Sequence, residues 1–315
     1  MKKYFQLIIL LLFTVSLFNC TSTATTAEEY YSIGMAFFDL GKYEEAERWL
    51  NRARSANKTM VASQYNLGRL AYERQRYHEA ADYFEDILKK DPSNVLALRA
   101  AAYTRIKTGD INIADRHYSR LLEMIPESAD DGYNHALVLH AMGRYSDAEK
   151  VLEKYHVPLL DNSDMQLLYA RSQSAQNKVE AIDSFSVWLN NNTDAKVRYE
   201  YAKALEHHQY YARAMEEYRK ALTENPSANI TLNSEIRFAL ARVLLIADST
   251  SNEGITELQA AVNEGFNDIT AVEGLLSYQE ISSANRDSIR TIINNMRRAA
   301  ILEESQENDE NEEEN

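Results

Sequence analysis

The single cysteine of the chain, Cys20, closes a distinctive leader: Lys2-Lys3, an apolar run from Leu7 to Leu17, Asn19-Cys20, then the polar run Thr21-Ser22-Thr23-Ala24-Thr25-Thr26. A lone thiol cannot form an internal disulfide, and acylation is the chemistry that explains a cysteine at this place. Buried acyl methylenes hold a chain on a bilayer at ~0.8 kcal/mol each. Other candidates for chemistry are absent. The histidines, His78, His117, His135, His140, His156, His207 and His208, lack ligand spacing; His135 and His140 are five apart, which turns them off a common helix face. With Cys20 in the leader, no cysteine remains for a metal site or a thiol nucleophile. There is no glycine-rich phosphate loop. The expectation is therefore no catalytic residue, no metal ligand and no cofactor: not an enzyme.

What recurs instead is a pattern of small and aromatic residues. Gly34, Gly68, Ala102, Ala136 and Ala170 are spaced by 34, as are Ala46, Ala80, Ala114 and Ala148. Tyr43, Tyr77 and Tyr145 keep a third phase, with Ile111 in the remaining slot. Superimposed series at one such period predict a solenoid of stacked units. Each unit reads as two helices. In the second unit, Val61 to Tyr72 has helical apolar spacing, Gln75-Arg76-Tyr77 makes the turn, and His78 to Lys90 puts Ala80, Ala81, Phe84, Ile87 and Leu88 on one face. Asp91-Pro92 stops it. Small residues let the two helices of a tight hairpin approach closely.

The pattern resembles the tetratricopeptide repeat. The first unit supplies Tyr30, Ile33, Gly34, Phe37, Gly41, Tyr43, Ala46, Leu50 and Ala53. A later one supplies Tyr201, Ala202, Leu205, Tyr211, Ala214, Tyr218, Ala221 and Pro226. Units are expected to start near Ala27, Val61, Val95, Ala129, Ser163, Ala195 and Ser234. Boundaries past Leu160 blur, because the fifth unit is shortened around Lys178-Val179-Glu180-Ala181. The seventh carries Ser249-Thr250-Ser251-Asn252 near its turn and Gly254 where alanine is usual. The resemblance implies an all-α, right-handed superhelical solenoid of about seven helix-turn-helix units.

It also implies that the first helix of each unit lines a concave groove. Carried across, the groove residues are Tyr31, Met35 and Phe38, then Tyr65, Arg69 and Tyr72, then Arg99, Tyr103 and Lys107. Tyr133, Leu137 and His140 follow, then Leu167 and Arg171, Tyr199 and Lys203, and Phe238 and Arg242. Tyr and Arg are common interface anchors, giving contact area and bidentate hydrogen bonds. The expected site is therefore a strip of aromatics and cations that binds a partner segment. It does not match the carboxylate clamp of chaperone-binding repeats; Asn66 and Asn134 stand at the asparagine position without the rest of that set.

The ends differ from the middle. Leu17-Phe18-Asn19-Cys20 resembles a bacterial lipobox, although Phe18 and Asn19 depart from its usual small residues. Residues 1–19 are expected to be a lipoprotein signal peptide, 20–26 a linker from lipidated Cys20, and 27–265 the repeats. Residues 266–302 are expected to be capping helices, read over Ile269 to Ile281 and Asp287 to Leu302, and 303–315, with eight acidic residues and no basic one, a disordered acidic tail. Removing Lys2 and Lys3 takes the net charge from −14 to −16, which disfavours anionic lipid surfaces and nucleic acid alike.

These readings predict a lipid-anchored scaffold facing the periplasm, on the inner or the outer membrane, that binds another envelope protein or peptide segment in its groove. The alternatives are an accessory lipoprotein that partners a transporter and holds a small hydrophobic ligand, and a component of outer-membrane assembly. Binding to nucleic acid or a metal is not expected.

Overall fold

The computed structural model describes residues 26–155, 161–225, 229–248 and 252–313, with side chains through Leu302. The leader, Cys20 and residues 21–25 of the linker lie outside the described residues, as do His156, Pro226 and Ser249-Thr250-Ser251. The described residues form helices and turns with no strand, and divide into two compact units on either side of Pro158–Leu159.

The first unit holds four helix pairs: α1 (residues 26–39) with α2 (Tyr43–Ala56), α3 (Val61–Glu73) with α4 (Tyr77–Lys90), α5 (Val95–Lys107) with α6 (Ile111–Met124), and α7 (Ala129–Ala141) with α8 (Tyr145–Glu153). Each pair is closed by a turn containing one left-handed residue, because the chain must reverse within three or four positions. Glycine serves at 41, 109 and 143, whereas Gln75 adopts φ 60° with a side chain in place. Around the first turn, the Gly41 N–H donates to the Phe38 carbonyl and the Lys42 N–H to that of Phe37, satisfying carbonyls left free at the end of α1.

Inside the pairs, the recurrent small residues are the contact points. Ala46, Ala80, Ala114 and Ala148 are fully buried. A Cβ on Gly68 would stand 2.7 Å from the Phe84 ring, and one on Gly34 would stand 2.9 Å from Leu50. Gly132 is tighter still, because the Tyr155 ring occupies the volume of a side chain there; its hydroxyl donates to the Pro126 carbonyl at 3.0 Å. Between pairs, Leu67 and Leu70 pack on Ala46 and Leu50, and the Ser63 hydroxyl donates to the Leu50 carbonyl at 2.7 Å.

The second unit contains α9 (Ser163–Ala175) with α10 (Glu180–Asn191), α11 (Ala195–His207) with α12 (Tyr211–Glu224), and α13 (Ile230–Ala247) with α14 (Glu253–Asn263). The short α15 (Ile269–Gly274), a 3-10 turn (Leu275–Ser277) and the long α16 (Ser283–Glu313) follow. Helix α13 begins four residues before the expected Ser234, where the Asn229 side chain caps it by accepting from the Leu232 N–H at 3.1 Å. The segment read as one helix to Ile281 breaks at Gly274. Helix α16 lays Ile289, Ile292, Ile293 and Met296 into a cluster with Leu258, Val272, Leu275 and Ile281. It then runs on through the acidic residues to Glu313, eleven residues past the expected boundary; glutamate is a good helix former, and extending a nucleated helix costs little.

Replacing Gly68 with Ala should cost about 1–3 kcal/mol, because the Phe84 ring has no free volume to enter. The same position is already alanine at 102 and 136, so an effect below 0.5 kcal/mol in urea unfolding would show that α3 and α4 are not held at this contact.

Candidate functional site

Along the first unit, α1, α3, α5 and α7 bring many of the expected groove residues into contact with one another. The Tyr31 hydroxyl accepts from the Asn66 amide at 2.9 Å, and the Arg69 guanidinium donates to the Asn66 carbonyl oxygen at 3.0 Å while lying 4.9 Å over the Phe38 ring. Tyr65 is half-buried against Phe84, with ring centroids 5.4 Å apart. Tyr72 meets Tyr103 at 5.7 Å, and Tyr103 is exposed beneath the Lys107 ammonium, 5.7 Å from the ring. Burial and the neighbouring Tyr103 push the Tyr72 phenol far above its usual range. Met35 packs half-buried beside Tyr31 and Phe38, His140 sits edge-on to Tyr145 at 4.9 Å, and Leu137 is exposed.

Arg99 is different. It grips Asp131 through two hydrogen bonds of 2.7 and 2.6 Å, and Asp131 is almost wholly buried and also accepts from Ser128 at 2.7 Å. Burial alone would raise the Asp131 pKa; the Arg99 and Ser128 hydrogen bonds prevail and hold it below the usual carboxylate range. A cleft of about 450 Å³ opens here, lined by Arg99, Ser128, Asp130, Asp131, Tyr133 and Asn134.

In the second unit the expected cations are mostly neutralised. Arg171 makes a bidentate pair with Glu200 at 2.7 and 3.1 Å, and Arg242 one with Glu206 at 2.6 and 2.9 Å. Glu206 also accepts from the fully buried Tyr218 hydroxyl at 2.6 Å. Leu167 and Tyr199 pack against the core, and burial pushes the Tyr199 phenol up to about 12. Lys203 stays exposed, 5.4 Å from the Tyr199 ring. Phe238, placed by the sequence on the groove, is a core residue instead: it stacks on Phe266 at 4.2 Å within the C-terminal cluster. Phe266, just past α14, and the C-terminal cluster cover the face it occupies, although Arg242, one turn on, lies 5.4 Å from its ring.

The acids that neutralise the strip escaped the sequence reading. Asp131 lies 32 residues after Arg99, Glu200 lies 29 after Arg171, and Glu206 lies 36 before Arg242. Searching one period away from each cation would have found all three. A second polar cluster, also unforeseen, surrounds His135, which is buried on α7. Its Nε2 lies 2.7 Å from Asp115 and 3.4 Å from the Ser119 hydroxyl of α6, and Asp115 is shared with Arg144 at 2.9 Å. The His135 Nδ1 is buried without a hydrogen-bond partner. Burial lowers the His135 pKa, helped by the nearby charges of Arg144 and Lys154, and prevails over the attraction of Asp115. Among the described residues no group of three His, Cys, Asp or Glu side chains is placed to hold a metal ion, and no helix is long and apolar enough to cross a membrane.

This architecture is that of the tetratricopeptide repeat, an all-α array of helix pairs. Residues 31–95 match the family model described as tetratricopeptide repeat. The crystal structure of a tetratricopeptide repeat protein from Parabacteroides merdae ATCC 43184 superposes with a TM-score of 0.55 at 21% identity, over 81% of this chain and 98% of that one. YrrB, described as a TPR protein with an unusual peptide-binding site, superposes with a TM-score of 0.53 at 17% identity, over 59% and 96% of the two chains. In sequence, the chain is 24% identical over 179 residues to an uncharacterized lipoprotein of Treponema pallidum (strain Nichols), covering 56% of this chain and 91% of that protein.

Two expectations follow. Arg99→Ala should lower stability in urea unfolding by about 1–3 kcal/mol, because it leaves the buried Asp131 carboxylate unpaired, whereas Arg69→Ala should change it by less than about 0.5 kcal/mol. Equal costs would contradict the division between structural and free cations. Second, the folded-state pKa of His135 lies below its unfolded value, so its effect on stability is absent above about pH 6.5 and grows as the pH falls, when only the unfolded chain takes up the proton. Lowering the pH from 7 to 5 should therefore reduce the melting temperature. His135→Leu should flatten that step, and an unchanged step would assign it elsewhere.

Proposed function

We propose that the chain is a membrane-tethered adaptor of the cell envelope that holds a segment of another protein along the first-helix face of residues 26–155. The observation that carries this reading is the contiguous row of Tyr31, Phe38, Tyr65, Tyr72 and Tyr103, interleaved with Arg69 and Lys107, two exposed cations with no carboxylate partner among the described residues. Aromatic rings supply contact area at low entropic cost, and an unpaired guanidinium supplies directional hydrogen bonds. Such a face suits a partner segment with apolar side chains and at least one carboxylate. Residues 163–302 offer less, since Arg171 and Arg242 are already committed to Glu200 and Glu206 and Phe238 is buried.

The tether rests on the leader and Cys20, and is supported by the name of the Treponema pallidum relative, an uncharacterized lipoprotein. Six residues, 21–26, reach about 20 Å when fully extended, so the repeats would lie close to the membrane that carries the anchor. With a net charge of −16 after loss of the leader lysines, acyl chains and not lipid headgroup charge would do the anchoring.

The reading is tested by crosslinking mass spectrometry on intact cells carrying the full-length protein. Crosslinks should run from Lys107 to a single envelope protein, and Arg69→Glu should lower their yield about tenfold, as loss of an interface anchor does. Crosslinks scattered over abundant neighbours, or unchanged in Arg69→Glu, would sink the adaptor.

A further inference from the structure

The two ends of the repeat array are finished differently. At the carboxyl end, α16 lays Ile289, Ile292, Ile293 and Met296 over the preceding apolar cluster. At the amino end, no described helix precedes α1. The consequence is visible at one repeat position: Leu67, Ala101 and His135 are at most 7% exposed, covered by the second helix of the pair before each, while the equivalent Ile33 is 37% exposed. Leu40 is 69% exposed. Tyr30, Ile33 and Phe37 recur at helical spacing on one side of α1, with Leu40 in the turn that follows; Phe37 is half-buried against the Ala46–Leu50 cluster. Beside them, the Tyr30 ring lies 5.6 Å from Trp49 of α2, and the Arg52 guanidinium lies 4.6 Å over the Trp49 indole. Terminal repeats ordinarily carry a polar outer face; this one does not.

What lies next to this face is set by the chain itself. Residues 21–25, Thr-Ser-Thr-Ala-Thr, have no side chain able to cover it. Immediately before them come Cys20 and the apolar run Leu7 to Leu17. On the tethering reading, on which this inference rests, the lipid surface is then held within about 20 Å of Thr26, one helical turn from Tyr30. The composition fits that neighbour. Tryptophan and tyrosine prefer the bilayer interface, where one edge of the ring is apolar and the other wet, and arginine reaches headgroup phosphates. The exposed charges of α1, α2 and the turn between them have both signs, Glu28, Glu29, Asp39 and Glu44 against Lys42, Arg48 and Arg52, which suits a zwitterionic surface. We propose that the amino-terminal end face formed by Tyr30, Ile33, Phe37, Leu40 and Trp49 docks on the headgroup layer of the anchoring bilayer, standing the first unit upright on it.

The test uses the full chain in phosphatidylcholine vesicles, with or without acyl chains brominated close to the headgroup, and reads tryptophan emission. The chain has two tryptophans, and Trp188 is buried and donates to the Ser163 carbonyl, so Trp49→Phe reports Trp188 alone. Brominated lipid should dim wild-type emission. That loss should vanish in Trp49→Phe and in Leu40→Glu, while both variants still float with the vesicles. Flotation without any bromine-dependent loss in the wild type overturns the docking and leaves the tether standing; failure to float overturns the tether and the docking with it. A Trp49 signal shielded from aqueous iodide yet insensitive to brominated lipid would identify a second copy of the chain as the occupant, and would likewise overturn the proposal.

Discussion

The close approach of paired helices at small residues is the constraint from which the rest of the structure follows. Ala46, Ala80, Ala114 and Ala148 are fully buried, and Gly34 and Gly68 leave no space for a Cβ. At that separation each second helix presses large side chains, such as Leu50 and Phe84, directly against the backbone of its first helix. The pair is rigid but thin. It cannot enclose its own apolar side chains, and so Leu67 and Leu70 are buried only because Ala46 and Leu50 of the preceding pair lie against them. Stability is thus a sum over neighbours, and a face without a neighbour is exposed by construction.

The same stacking governs the charges. First helices of successive pairs come close enough for a side chain on one to reach the next, which is how Asn66 meets Tyr31, Arg99 meets Asp131 and Arg171 meets Glu200. A cation on this face therefore has two fates. With an acid one repeat away it becomes part of the scaffold, and removing it leaves a carboxylate without its partner. Without one, as at Arg69 and Lys107, it stays available to another molecule. An overall acidic chain supplies many acids, so the unpaired cations are few and more informative than the basic strip as a whole.

Legibility in the sequence followed the regularity of the period. The helix starts at Val61, Val95, Ala129, Ser163 and Ala195 coincide with those read from the 34-residue spacing and its small residues. Packing at a tight hairpin leaves a residue-type signature that repeats. The site was less legible because its determinants are relational. Whether Arg171 is free depends on Glu200, which no local pattern marks. Whether Phe238 is open to the groove depends on Phe266, 28 residues further on, which stacks on it at 4.2 Å. His135 shows the same limit: its position is that of an apolar core residue, and only the neighbouring α6, with Asp115 and Ser119, makes a buried imidazole tolerable there.

An anchor at Cys20 would fix where the protein is but not how it stands, because a tether of six residues limits the distance of the first unit from the lipid and not its orientation. Orientation matters to an adaptor whose binding row runs across α1, α3 and α5, since a row lying against the bilayer could admit no partner. Within α1, Ile33 is exposed, whereas Tyr31 and Phe38 reach toward Asn66 and Arg69 of α3. Contact through the end face would keep the row clear of the lipid and open from the side. On that reading the apolar surface that no described helix pair precedes, a liability in a free-standing array, would turn a tether into a mount.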